Sequence, residues 1–297
     1  MPFWRARSRP SSRWRSFCVG DSTAAVLGLI SALTWGGGDF CGGLAARRVA
    51  LPWVLTLSAA FGIVCLVGLA LATGEPLPAG GQLLWAAAAG VGGALGLAML
   101  YRGLALGQAA VVAPTSAVIA AALPVLFAAL TVALPGPQRL LGFAVALLGI
   151  WLVSQSGARG ASPKGLWLAV AAGCGFGTFF ILINHAGAAG GTYWPLVVAR
   201  TVNLLINAST VLAQRRRLAI SPPALGIIAL SALLDIFGNV FFVLSSQLGG
   251  LDIASVLSSL YPASTVLLAW GVLHEKLRRS QLFGLLCILA AIVLIVG

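Results

Sequence analysis

Three ionisable side chains stand inside apolar runs that offer them no water: Asp39, Arg200 and Asp235. A charge at the centre of a membrane helix costs roughly 2.5 to 3.5 kcal/mol on insertion scales, so such residues mark ion or substrate pathways unless they form a structural pair. Asp39 lies in the last third of the run Ala24–Gly43, Arg200 near the middle of Tyr193–Ala213, and Asp235 near the middle of Pro223–Ser246. The chemistry open to them is proton exchange at a carboxylate and capture of an anionic group by the guanidinium. Arg200 and Asp235 fall on consecutive runs, and each is expected to compensate the other in part.

Their neighbours extend the pattern. Arg200, Asn203, Asn207 and Thr210 recur at helical spacing and share one face, as do Asp235 and Asn239, four apart. Ser255, Ser258, Ser259, Pro262 and Thr265 make a third polar stripe. Three such stripes cannot all face lipid, so they are expected to converge on a cavity. The competing expectation is hydrogen bonding between helices, worth about 0.6 kcal/mol per contact. Pro114, Pro124 and Pro262 remove backbone hydrogen bonds inside apolar runs and are expected to kink or interrupt their helices. Glu275, in the charged knot His274–Arg279, is expected to be structural, bonding free N–H groups at a helix end. His185 closes an apolar run beside Asn184 and is expected at the interface.

The elements that must position these residues follow from composition. The chain is 60% hydrophobic and 8% charged, against about a quarter charged for a soluble domain. Too few charges remain to cover a water-facing surface, so the fold is an all-α membrane protein. Counting apolar stretches of spanning length gives about ten transmembrane helices. They are Ala24–Gly43, Pro52–Ala72, Leu83–Leu106, Ala109–Leu134, Leu140–Ser154, Gly165–Asn184, Tyr193–Ala213, Pro223–Ser246, Ile253–Leu273 and Gln281–Gly297.

The chain is doubled. The block Leu248–Gly297 slides back by a constant offset onto Leu106–Gln155, bringing Leu106-Gly107 onto Leu248-Gly249, Ser116 onto Ser258 and Gly142 onto Gly284. A polar, Gly/Ser-rich linker, residues 156–164, divides a first unit, 21–155, from a second, 165–297. Five helices precede it and five follow, and an odd number per half turns a duplication into an inverted repeat. Small residues spaced by four (Gly38 and Gly42, Gly92 and Gly96, Gly173 and Gly177) suit the close backbone approach that lipid demands.

The net charge of +12 is placed in the tail 1–20 and in hinges such as Arg47-Arg48 and Arg215–Arg217. That is a headgroup pattern, with the tail lying on anionic lipid, and it excludes a nucleic-acid partner. The five cysteines are scattered without ligand spacing, and no zinc, nucleophile-elbow or phosphate-loop motif occurs. No catalytic residue, metal or cofactor is expected.

The run Val256–Gly297, with Ser258-Ser259, Tyr261-Pro262, Glu275, Gln281 and Gly284, resembles the EamA-type branch of the drug/metabolite transporter superfamily. Tyr101–Pro114 and Leu140–Val153 resemble the same pattern in the first half, where Ala133 stands opposite Glu275. The resemblance implies ten helices in two inverted five-helix repeats, an inside N-terminus, a central cavity and no enzymatic activity. It also implies a multi-pass secondary transporter in the cytoplasmic membrane, moving an amino-acid-like or drug-like metabolite by alternating access. Protons are the candidate coupling ion. The partners are the small-molecule substrate and the bilayer, and the oligomeric state is unknown. A lipid-handling or non-transporting membrane protein is the alternative.

Overall fold

A computed structural model of the chain describes residues 12–106, 109–132, 134–153, 162–188, 191–214, 220–273 and 278–296. Glu275, the linker 156–161 and Arg215–Arg217 lie outside the described residues. Eleven helices follow in order: α1 Ser12–Ala46, α2 Leu51–Thr73, α3 Gly80–Ala105, α4 Ala109–Thr131, α5 Pro137–Val153 and α6 Pro163–Ala186; then α7 Tyr193–Ala213, α8 Pro222–Gly249, α9 Leu251–Ser258, α10 Tyr261–Leu273 and α11 Arg279–Val296. No strand occurs among the described residues. Seven spans are long and apolar enough to cross a bilayer, α9 and α10 counting together as Leu251–Val272. Thr115–Thr131, Pro137–Val153 and Arg279–Ile295 are shorter apolar helices.

The ninth apolar run is two helices rather than one. Pro262 has no N–H to return toward Ser258, so α9 ends in a tight turn in which Leu260 N donates to Leu257 O at 3.2 Å. Pro262 then falls in the first turn of α10, where a missing N–H costs nothing. By contrast, α4 runs unbroken through Pro114 and Pro124. The interruption expected in both halves is found in the second.

Helix direction alternates through the bundle. Ser31 Oγ donates to Gly238 O at 2.8 Å, Ser231 Oγ to Gly38 O at 2.8 Å and Ser245 Oγ to Ala24 O at 2.7 Å, which pins α1 antiparallel on α8. Gly92 and Gly96 set α3 antiparallel on α6, where a Cβ at Gly175 would stand 2.7 Å from Gly96 Cα. In lipid such close approach, not a hydrophobic drive, supplies the packing. Gly173 meets Ser116 and Ile119, and Gly177 meets Leu123, so α4 and α6 run parallel. Likewise α9–α10 run parallel to α1, with Ser264 Oγ donating to Ala32 O at 2.7 Å and Thr265 Oγ1 to Gly36 O at 3.2 Å. Gly62 of α2 meets Ile236 and Arg200, and Gly142 and Gly149 of α5 meet Ile295 and Ile288 of α11.

These pairings define two faces. Side A carries the start of α1, the α2–α3 and α6–α7 connections and the end of α8. Side B carries the end of α1, the start of α8 and the start of α6. Arg47-Arg48 therefore lie on side B and Gly187, Ala188, Gly191 and Thr192 on side A, separated by the length of α8, about 42 Å for its 28 residues.

Candidate functional site

The site is organised by the inner face of α1. Trp35 stacks on Phe180 of α6 at 5.6 Å and on Phe242 of α8 at 5.8 Å, and meets Tyr261 of α10 edge-on at 6.4 Å between ring centroids. Phe180 and Phe242 stack on each other at 4.7 Å. Four elements thus meet in one aromatic septum, each ring contact adding about 0.5 to 1.5 kcal/mol beyond burial. Gly36 lets α10 come close enough, since a Cβ there would stand 2.7 Å from Tyr261 O.

On the side-B flank of the septum, the inner face of α1 opens. At about 100° per residue, Asp39 projects within about 40° of Trp35, between the α8 face and the α10 face of α1. Toward side A that face is covered: Ala25, Gly28, Ala32 and Trp35 are buried. From Asp39 onward it is not, for Asp39, Gly43 and Ala46 are exposed and nothing lies within 4 Å of a Cβ at Gly43. Asp39 has no hydrogen bond or ion pair among the described residues. The preceding residue, Gly38, packs on α8, its ideal Cβ 3.2 Å from Asp235 N.

Asp235 and Phe242 share one face of α8, seven residues apart, so Asp235 also lies on the side-B flank. Its carboxylate pairs with the Arg200 guanidinium of α7, the side chains being 35% and 19% exposed. The expected pair therefore forms. The remaining polar residues of these stripes turn back on their own helices. Asn239 Nδ2 donates to Asp235 O at 2.6 Å, Asn203 Nδ2 to Ala199 O at 3.3 Å, Asn207 Nδ2 to Asn203 O at 2.8 Å and Thr210 Oγ1 to Asn207 O at 2.6 Å.

The third stripe goes elsewhere. Ser255 and Ser258 are fully buried, and Ser258 Oγ donates to Gly28 O at 3.4 Å. Ser258, Ser264 and Thr265 thus seat α9–α10 on α1, the hydrogen-bonding role of the competing expectation, while Ser255 Oγ donates to Asp252 O of its own helix at 3.0 Å. Ser259 Oγ is buried without a partner and Pro262 is half-buried. Pro124 is buried in the bundle, while Pro114 is placed only by its backbone in α4.

On the side-A flank of the septum lies a second space, a pocket of about 440 Å³. His185 of α6, Ser246 of α8 and Asp252 of α9 line it with Phe127 and Thr131 of α4 and with Asn184. His185 Nδ1 is 2.9 Å from Ile181 O, and the ring sits between Trp85 and Phe127. Sequence reasoning placed His185 at an interface but missed Asp252 and the septum. The Gly249-Gly250 pair before a short apolar run was the available signal for Asp252 at a helix start. Aromatic residues dispersed over four apolar segments carry no such signal.

A further residue missed was Glu75. Gly74, at φ 65°, closes α2 and turns Glu75 toward α7. Its carboxylate accepts from Thr192 N at 2.9 Å, from Tyr193 N at 3.0 Å and from Trp194 N at 2.9 Å. This is the helix-end function expected of Glu275, carried out by another residue at another helix.

Among the described residues no group of acidic, histidine and cysteine side chains is arranged to hold a metal ion. No curated protein matches the sequence. A solved crystal structure, described only as that of a protein, superposes with a TM-score of 0.75 over 92% of this chain and 96% of its own; at 17% identity it speaks for the fold alone. Residues 163–297 match the EamA-like transporter family. That match spans the second unit of the chain and, with seven helices long and apolar enough to cross a bilayer, it suggests a multi-pass membrane transporter of the drug/metabolite type.

Proposed function

We propose that this chain is a secondary transporter that moves a small amino-acid-like or drug-like metabolite across the cytoplasmic membrane by alternating access between two inverted five-helix repeats. The observation that carries this is an exchange of pairings. Counting α9–α10 as one helix, adding five to each helix number of the first unit gives its counterpart in the second. The contact of α1 with α8 then becomes that of α6 with α3, and parallel α4–α6 becomes parallel α9–α10 on α1. The pairs α2–α7 and α5–α11 map onto themselves. Side-A and side-B starts of α1 and α6 support units 21–155 and 165–297 of opposite orientation, as does the septum between two separate spaces.

In this mechanism α1, α3 and α4 rock against α6, α8 and α9–α10. The septum stays closed on one flank while the other is open, and the present conformation opens Asp39 to side B. Proton coupling is assigned to Asp235, with Arg200 as its counter-ion, because their pair lies on the open flank and is partly exposed. A screen of metabolites in proteoliposomes, with and without an imposed pH gradient, tests the function. Saturable counterflow of at least one solute, accelerated by the gradient, is expected. Absence of counterflow across amino acids, amines, carboxylates and amphipathic drugs would overturn it.

A further inference from the structure

We infer that the break between α9 and α10 is a binding site for a sodium ion, held by backbone carbonyls and the Ser259 hydroxyl. The site goes beyond the transport reading and does not depend on the Arg200–Asp235 pair. Pro262 has no N–H to give Ser258 O, so that carbonyl loses its helical donor. One residue on, Ala263 N turns to Leu260 O at 2.9 Å instead of to Ser259 O. Ser259 Oγ, between these two carbonyls in the chain, is buried without a hydrogen-bond partner among the described residues. Bulk water does not reach them: Ser258, Ser259 and Leu260 are 0%, 1% and 3% exposed.

Buried oxygens without donors are costly, and an interrupted membrane helix offsets that cost when its released carbonyls coordinate a cation. The end of α9 falls at the same point and adds its negative dipole end. All these donors are neutral oxygens, whereas a divalent ion draws on carboxylates, and Asp252 stands two turns away. Close packing by Leu257 and Leu260 suits sodium rather than the larger potassium ion. Ser259 follows Asp252 by seven residues, so its hydroxyl lies about 10 Å deeper along the face of α9 that lines the side-A pocket. That pocket gives a hydrated ion its approach. Sodium at the break fixes α9 against α10, and with them the seat of Ser258, Ser264 and Thr265 on α1. The corresponding helix of the first unit, α4, runs unbroken and offers no such break.

Two measurements on the purified full-length protein test the site: thermal melting in sodium, potassium and choline chloride at equal ionic strength, and equilibrium dialysis with radiolabelled sodium. A melting point that rises saturably with sodium alone is expected, by mass action on the folded state. Ser259→Ala should fold and weaken sodium by about tenfold or more, the order for losing a group that shapes a metal site. Pro262→Ala, which returns an N–H to Ser258 O, should weaken it too. Ser258→Ala loses the bond to Gly28 but keeps its carbonyl, so its melting point should fall in every salt while the sodium increment remains. Equal melting in the three salts, with no sodium retained on dialysis, would mean that water alone answers Ser259 and overturns the inference. A sodium increment untouched by both Ser259→Ala and Pro262→Ala overturns it as well.

Discussion

Trp194 is bonded to Glu75 twice: its backbone N–H donates to Glu75 Oε1 at 2.9 Å, and its indole Nε1 donates to the Glu75 carbonyl at 2.8 Å. The pair lies on side A and ties the α2–α3 connection of the first half to the start of α7 in the second. The same carboxylate answers three of the N–H groups that a helix start leaves without partners. Gln247 Nε2 adds bonds to Gly187 O at 3.1 Å and Gly191 O at 3.2 Å, so the α6–α7 connection is held from α8 as well.

Glu75→Ala should therefore lower stability by about 1 to 2 kcal/mol, the range for losing a helix cap. Glu75→Gln should cost less, because an amide oxygen still accepts. Thermal melting in detergent measures both, and hydrogen exchange should localise the loss to the first turn of α7. A melt unchanged in Glu75→Ala would show that the tie contributes nothing.

Gly36 and Gly68 make a matched pair for testing helix approach. A side chain at Gly36 would run into Ser264 and the Tyr261 carbonyl, whereas nothing lies within 4 Å of a Cβ at Gly68. Gly36→Ala is expected to destabilise by about 1 to 3 kcal/mol through overpacking between α1 and α10. Gly68→Ala should be neutral or stabilising by up to about 1 kcal/mol, since alanine is the better helix former. Folded yield and melting of the two variants check the contrast, and equal losses would refute the close α1–α10 contact.

Much of this architecture was legible in the sequence, and the physical reason is length. Apolar runs near twenty residues have one stable form in a bilayer, so α2, α7 and α8 fall within a few residues of their expected bounds. The pairing of Arg200 with Asp235 was legible too, since two opposite charges at membrane depth have few other partners. What depended on which helices meet was not. Ser258 and Thr265 look alike whether they line a cavity or grip α1, and the choice is made by carbonyls of α1 more than two hundred residues away. Glu75 looked like one acid in a connection, because its partners at Thr192–Trp194 are brought near only by the fold.

Topology offers a direct check on the two faces. Single cysteines replacing Arg48 and Ala188, both exposed, in a background lacking the native cysteines should react with a membrane-impermeant maleimide from opposite sides of sealed vesicles. Labelling of both from one side would refute the assignment of the α1–α2 and α6–α7 connections to different faces. It would remove the inverted-repeat reading with it.

The decisive chemistry lies in the Arg200–Asp235 pair. Were it a buried scaffold, each single neutral variant would strand a charge, at a cost of about 3 to 5 kcal/mol, and the double variant would recover the fold. Asp235 is about a third exposed and Arg200 a fifth, on the flank where α1 opens. The paired Asp235 Oδ2 is itself buried, but other parts of both side chains are not, so the pair is expected to contribute less than that buried figure. Arg200→Gln, Asp235→Asn and the double variant are therefore all expected to fold, with melting points within a few degrees of the parent. Transport should separate them. Asp235→Asn has no proton to exchange, so its counterflow should persist without acceleration by a pH gradient. The double variant should behave in the same way, because the guanidinium acts only through the carboxylate. Arg200→Gln keeps the carboxylate and should retain a gradient response. Recovery of both yield and gradient response in the double variant would make the pair scaffold and end its assignment to coupling.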